Sequence, residues 1–412
     1  MRQGGWIRFV ASRWYRSGNK SGPSLAPATA GIAVGVAALL CVIGVMNGFQ
    51  MGFIDAVLDL DSYHVRVRTD GDAAAAVMAA VPRAIAVVPF VDVRTMATND
   101  RGKAAPLRIK VVPDDIEEID PVFAARLEFR SGSFKGGLVI GSELARYLNL
   151  VTGDAVSVLS VTTDATKGLD VSLVDLTIVG IYHCGYYDFD AALAFLPESS
   201  SGGLGAGETP VLGLRLSDRY GDARAVAELS AAGISGAESW REYNRAFFGA
   251  LRMEKSVMLL LVGLIFIVVG VNIFHSMRKA VYSRVEDIAT MKAFGANSRS
   301  VQAVFLLDGI ATGLGGAFVG LALGLLLAMN VNGVFSILEA AASFLYGFFG
   351  AAGAGLEFFS PDLFYIGDVP VRLTFAETLF ITAAGASSAL AAAWAASSRV
   401  SRIMPSEVLR DE

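Results

Sequence analysis

The chain has 412 residues, 34 Lys plus Arg against 39 Asp plus Glu for a formal charge of -5, and is 54% hydrophobic but only 18% charged. Soluble domains run about 25% charged, so the composition excludes an ordinary soluble globular chain, and equally a disordered or collagen-like one. The acidic balance, with no basic stripe beyond the first residues, argues against a nucleic-acid partner.

A membrane helix takes about 20 mostly apolar residues, and four such segments follow one another along the chain. Residues 1–27 form a basic lead segment carrying Arg2, Arg8, Arg13, Arg16 and Lys20 without an acid. Ala28–Phe49 (28–49) is the first span; its apolar run exceeds the roughly 7–15 residues of a signal-peptide core and no small-residue cleavage site follows. Residues 50–255 are a long, acid-rich loop. Within it, β-branched runs predict strands over Tyr63–Arg68, Ala155–Leu159, Leu173–Ile181 and Val211–Leu216, and helical patterning marks Gly141–Leu150 and Ala223–Ala232. Ser199–Glu208 reads as a surface loop or linker. Glu238–Lys255 is expected to run as a helix into the second span, 256–277. A connection over 278–300, a third span over 301–329, a loop over 330–372, a fourth span over 373–398 and a tail over 399–412 complete the order. The expected fold is an α-helical membrane protein with four transmembrane helices plus a large extracytoplasmic α+β domain between helices one and two.

Lys and Arg flanking the spans set orientation. The lead segment, the connection with Arg278, Lys279, Arg284, Lys292 and Arg299, and the tail with Arg399, Arg402 and Arg410 are the basic ends. They predict a cytoplasmic connection and cytoplasmic termini, which sends residues 50–255 to the opposite side.

Catalytic patterns are missing. His64, His183 and His275 are scattered, Cys41 and Cys184 make neither a disulfide framework nor a metal spacing, and there is no phosphate loop, serine elbow or zinc helix. The chain is therefore expected to be a non-catalytic subunit with no metal or cofactor of its own. The acids Asp114, Asp115, Glu117 and Glu118 suit a helix start better than a cation site.

Three features remain. Arg278–Asp308 predicts helix, Gly-Ala-Asn turn, helix, with Gly295 closing the first; a docking surface, a lipid-surface helix and a simple turn all fit. Glycines four apart, Gly31 and Gly35 in span one and Gly316, Gly320 and Gly324 in span three, predict close helix packing. Asp308 and Glu377 lie near span ends and are expected to reach water.

Several stretches resemble the lipoprotein-releasing permeases of the LolC and LolE type, within the FtsX-like and MacB-like permeases. They are Gly31–Gln50, Gly136–Asp154, Val179–Pro197, Ile288–Ala296, Phe358–Pro370 and Ser397–Arg410. The resemblance implies a MacB-like core domain over 50–255, an FtsX-like permease domain over about 256–405, and a place in the inner membrane. It implies a permease subunit of an ABC transporter, powered by a separate LolD-type ATPase that holds the ATP and Mg. That subunit pairs with a second permease, alike or different, and passes a lipoprotein from membrane lipid to a soluble LolA-type carrier. The connection would then dock the ATPase through Arg284, Glu286, Ile288, Lys292 and Gly295. Each acyl CH₂ exposed to water costs about 0.8 kcal/mol, so an apolar cavity is required. Its expected lining is Val45, Met46, Phe49 and Phe53 with Met258, Leu261 and Ile265. The hairpin that docks the carrier in LolC would correspond to Val161–Leu173, which lacks a proline here. An FtsX-like regulator of a cell-wall hydrolase and a MacB-like efflux or export subunit are the alternatives.

Overall fold

The computed structural model describes residues 5–13, 26–68, 73–164, 168–348 and 369–398. Most of Phe358–Pro370, the tail beyond Ser398, and residues 165–167 of the predicted hairpin lie outside them. The chain divides into two compact units, one formed by its two ends and the other by Met51–Ala250.

Among the described residues, four helices are long and apolar enough to cross a membrane: Pro27–Ser62, Arg245–Tyr282, Ser298–Met329 and Phe375–Ser397. The first and second reach beyond the predicted spans at both ends, because a helix continues where its backbone hydrogen bonds continue, whatever the hydropathy. The connection after span three, expected to be a loop, opens with a helix over Val331–Phe348. Ile32, Val36 and Leu40 of span one, Phe266 and Ile273 of span two, Ala317 of span three and Ala389 and Ala393 of span four form one buried cluster.

Small residues set the spacing of these helices. A Cβ built on Gly316, Gly320 or Gly324 would stand 2.7–2.9 Å from span-one atoms such as Thr29 O, Ala33 O and Leu40 Cδ1. On another face of span three, a Cβ built on Gly309 or Gly313 would overlap Ala393 or Ala389 of span four. Gly31 and Gly35 do not share in this: a Cβ on Gly31 meets nothing within 4 Å and one on Gly35 makes an ordinary 3.7 Å contact with Val269. Span one contributes its branched side chains to the joint and span three contributes the groove.

The second unit is a mixed sheet of β1 (Val65–Arg68), β2 (Ala84–Thr98), β3 (Ala104–Val112), β4 (Glu128–Gly132), β5 (Leu138–Gly141), β6 (Ala155–Asp164), β7 (Gly168–His183), β8 (Leu193–Pro197), β9 (Val211–Leu216) and β10 (Ala237–Ser239). The order is β10-β1-β9-β2-β3-β8-β5-β7-β4, with β6 pairing β2 and β7. β2 is the bridge: its first half pairs β9 and its second half β3. Helices Ala74–Ala80 and Asp222–Ala231 cover one end through Val77, Ala225 and Leu229. The long β6–β7 hairpin reaches the Asp164–Gly168 pairing, so the Val161–Leu173 stretch is its outer end. Ser199–Glu208 is tied down by Leu204, which is buried in the sheet core. The acids near Ile116 begin a short helix, and Asp114 accepts hydrogen bonds from Ser199.

Candidate functional site

The expected cavity lining separates into groups. Met46 and Met258 both line a small cavity, with Ile43, Val262, Phe380 and Ile381. Its polar rim is a three-way contact: Glu377 Oε1 lies 2.6 Å from Lys255 Nζ, and Glu377 Oε2 accepts from Asn47 Nδ2 at 2.5 Å. Glu377 keeps 23% of its side chain exposed, in line with the expectation that it reaches water, and it also joins residues of spans one, two and four. Val45 and Phe49 are half-buried outside this lining, while Leu261 and Ile265 are 49% and 39% exposed on the outer side of span two.

Phe53 is partly buried against the core of the second unit. It packs within the second unit against Tyr186, Phe189 and Phe247, with ring centroids 5.8, 5.8 and 4.7 Å away. Aromatic pairing at these separations favours a core position. Tyr186 and Phe247 are far from Phe53 in sequence, so no local pattern announces the cluster.

The connection forms helix Val285–Ala293, a turn, and helix Ser298–Met329. Gly295 has φ +92° and donates to Lys292 O at 2.9 Å while Ala296 donates to Met291 O at 3.0 Å, the double bond of a glycine-terminated helix. Asn297 starts the next helix, its side chain accepting from Arg299 N–H.

The five predicted docking residues do not act alike. Glu286 and Gly295 are exposed and Lys292 is half-buried. Ile288 is fully buried with Val281, Val301 and Phe305, because an apolar side chain on the inner face of a short helix packs against the helix beside it. It supports the surface from below and is not part of it. Burial lowers the pKa of Arg284, against the opposing pull of Asp308 and Asp287. Asp308 is 5% exposed, so it does not reach water as expected. The residue that sequence reasoning missed is Phe294, 89% exposed beside the turn. The ring stands between Lys292 and Arg299 in the chain, after the acidic start Glu286–Asp287 of helix Val285–Ala293.

Among the described residues no group of three or more His, Cys, Asp or Glu could hold a metal ion. The two cysteines are free, and Cys184 is buried.

Residues 26–232 match the MacB-like periplasmic core domain and residues 259–405 the FtsX-like permease C-terminal domain. Among curated proteins, the lipoprotein-releasing system transmembrane protein LolC of Xylella fastidiosa is 28% identical across 93% of this chain and 92% of its own length. LolC of Neisseria meningitidis is 27% identical across 93% of both chains. LolE of Haemophilus influenzae is 22% identical across 97% of this chain and 98% of its own.

Proposed function

The chain belongs to the FtsX-like permeases that carry a MacB-like periplasmic core domain, and from that membership we infer that it is the permease subunit of a lipoprotein-releasing ABC transporter. It is an inner-membrane protein with a periplasmic domain. The observation that carries the reading is similarity to LolC and LolE proteins along nearly the whole chain, through spans, sheet domain and connection together.

The work divides as follows. A separate ATPase of the LolD type binds ATP and Mg and docks on the cytoplasmic connection, with Phe294 as anchor and Glu286, Lys292 and Gly295 around it. Both termini are cytoplasmic, in line with the basic flanks. A second permease subunit completes the membrane part. Met46 and Met258 supply apolar contact for the acyl chains of the lipoprotein, sparing them the cost of about 0.8 kcal/mol per CH₂ met in water. A periplasmic carrier of the LolA type receives the lipoprotein.

Reconstitution tests this. The chain, its ATPase and any second permease are placed in proteoliposomes with a fluorescent triacylated lipoprotein and a soluble carrier. ATP-dependent appearance of lipoprotein on the carrier is the expected result. ATP hydrolysis with no transfer from any cognate lipoprotein would contradict it.

A further inference from the structure

Span three crosses the membrane without help from the helix that follows it. Its 32 residues rise about 48 Å at about 1.5 Å each, more than the hydrocarbon core of about 30 Å. It ends at Asn330, whose φ of -117° and ψ of 27° leave the helical region while its side chain donates to Leu326 O at 2.9 Å. The next helix, Val331–Phe348, starts at once and has 18 residues, of which Glu339 alone is charged. A helix this apolar is unsuited to water, and past a full crossing no hydrocarbon lies ahead of it.

Both ends of the connection that holds it belong to one membrane face. Span one runs into the periplasmic domain, so by alternation span three ends, and span four begins, on the periplasmic side. The chain comes back to where the helix began: Val369 N–H donates to Asn332 Oδ1 at 2.9 Å, and Arg372 N–H donates to Gly44 O of span one at 2.8 Å. A Cβ on Gly48 would overlap Pro370 O, so the backbone before span four lies directly on span one. The first turn of the helix is thereby moored at the periplasmic ends of spans one and four.

The helix has three sides. Val331 is buried and Val334 and Phe335 are half-buried, at the three- and four-residue spacing of one face. Asn332, Ser336, Glu339 and Ser343 recur at the same spacing as a polar stripe in the sequence. Ile337, Ala341 and Phe344 make a third stripe, on which Ile337 and Phe344 are 69% and 75% exposed. This bare stripe follows directly in the chain on the exposed apolar side of span three, where Phe318, Leu326 and Met329 stand. A bare apolar stripe beside a narrow polar one, on a helix that starts where a span leaves hydrocarbon, is the pattern of a helix lying in the interface. With no Lys or Arg in it, its hold on lipid is apolar burial and not attraction to anionic headgroups.

We propose that helix Val331–Phe348 lies in the plane of the periplasmic leaflet, with Ile337 and Phe344 in the acyl boundary of the lipid and Asn332 and Ser336 toward water. The partner is the bilayer surface itself, and the proposal does not depend on lipoprotein release.

The test uses the full chain purified with its ATPase, carrying Cys41→Ser and Cys184→Ser, in vesicles of phosphatidylethanolamine and phosphatidylglycerol. A nitroxide is attached at Ile337→Cys, at Phe344→Cys or, as the water-side control, at Ser336→Cys. Its collisions with oxygen and with a soluble nickel chelate are then measured. The labels at 337 and 344 are expected to favour oxygen and to sit about 5–10 Å deeper than the label at 336, which favours nickel. Nickel dominating at all three positions would put the helix in water and overturn the proposal. Shielding of 337 and 344 from both reagents would mean that a protein surface covers the stripe, and depths at the bilayer centre would mean a crossing helix; either result overturns it as well.

Discussion

Lys255 Nζ and Glu377 Oε1 lie 2.6 Å apart, and the second oxygen of the same carboxylate accepts from Asn47, so one acid side chain fastens spans one, two and four at the rim of the Met46–Met258 cavity. The Lys255 side chain is 51% exposed, so the pair is only weakly stabilising. Glu377→Ala is expected to cost about 1 kcal/mol of stability, the scale of a lost hydrogen bond. Glu377→Gln, which keeps an acceptor for Asn47, should cost less. Thermal unfolding of the purified chain in detergent, comparing both variants, checks the order.

The apolar contacts themselves are tested by charge. Met46→Glu and Met258→Glu place a carboxylate against the proposed acyl path and should abolish lipoprotein release while the chain still assembles with its ATPase. Leu261→Ser, on the exposed side of span two, should leave release within about twofold, as surface changes usually do. Normal release by both Met variants would remove these residues from the path.

Helix spacing gives a prediction with its own control. Gly320→Leu drives a side chain into Ala33 O and Val36 Cβ at 2.7 and 2.8 Å, and overpacking of this kind costs about 1–3 kcal/mol. Gly315→Leu, five residues away, meets nothing within 4 Å. Membrane levels of the Gly320 variant should fall and those of the Gly315 variant should hold, measured by immunoblot.

At the connection, Phe294→Asp should reduce co-purification of the ATPase while the permease remains in the membrane at normal level. Ile288→Asp should instead lower the level of the permease itself, since it breaks the small core with Val301 and Phe305. Equal ATPase recovery by Phe294→Asp and the parent would exclude the ring as an anchor.

The exported domain carries an acid-sensitive histidine. Burial, reinforced by Arg215 and Arg219, pushes His64 down to about 4, and its Nδ1 accepts from Leu216 N–H at 3.3 Å. The unfolded chain, titrating near its ordinary value of about 6.5, then binds more protons than the folded one between those limits. Stability therefore rises with pH across that window and about 3 kcal/mol is lost as pH falls from 6.5 to 4. Thermal midpoints of the full chain over this range should show the loss, and His64→Gln, which retains an acceptor, should flatten it.

How much of this was legible beforehand depends on the range of the interaction. A membrane helix is written in one continuous apolar run, so all four were readable, and the glycine-closed turn at Gly295 likewise depends on neighbours in sequence. The face a glycine presents is not so written: Gly31 and Gly316 have the same spacing, yet only one meets another backbone. β2 hides because it lacks clean alternation and contains Pro89, tolerated at the point where the strand passes from β9 to β3. The hydrogen bonds of buried Lys110 to Leu60 O and Asp61 O were beyond reach, since Ile109-Lys110-Val111 reads as an ordinary strand and its partner carbonyls come from residues about fifty positions earlier.

The central claim is release of lipoproteins, and depletion tests it most directly. The protein is depleted in its own cell, inner and outer membranes are separated, and one acylated outer-membrane lipoprotein is followed. The account predicts that it accumulates in the inner membrane as the protein disappears. Normal sorting of that lipoprotein, with cells that chain or lose resistance to an exported compound, would contradict the account and assign the chain to hydrolase regulation or efflux.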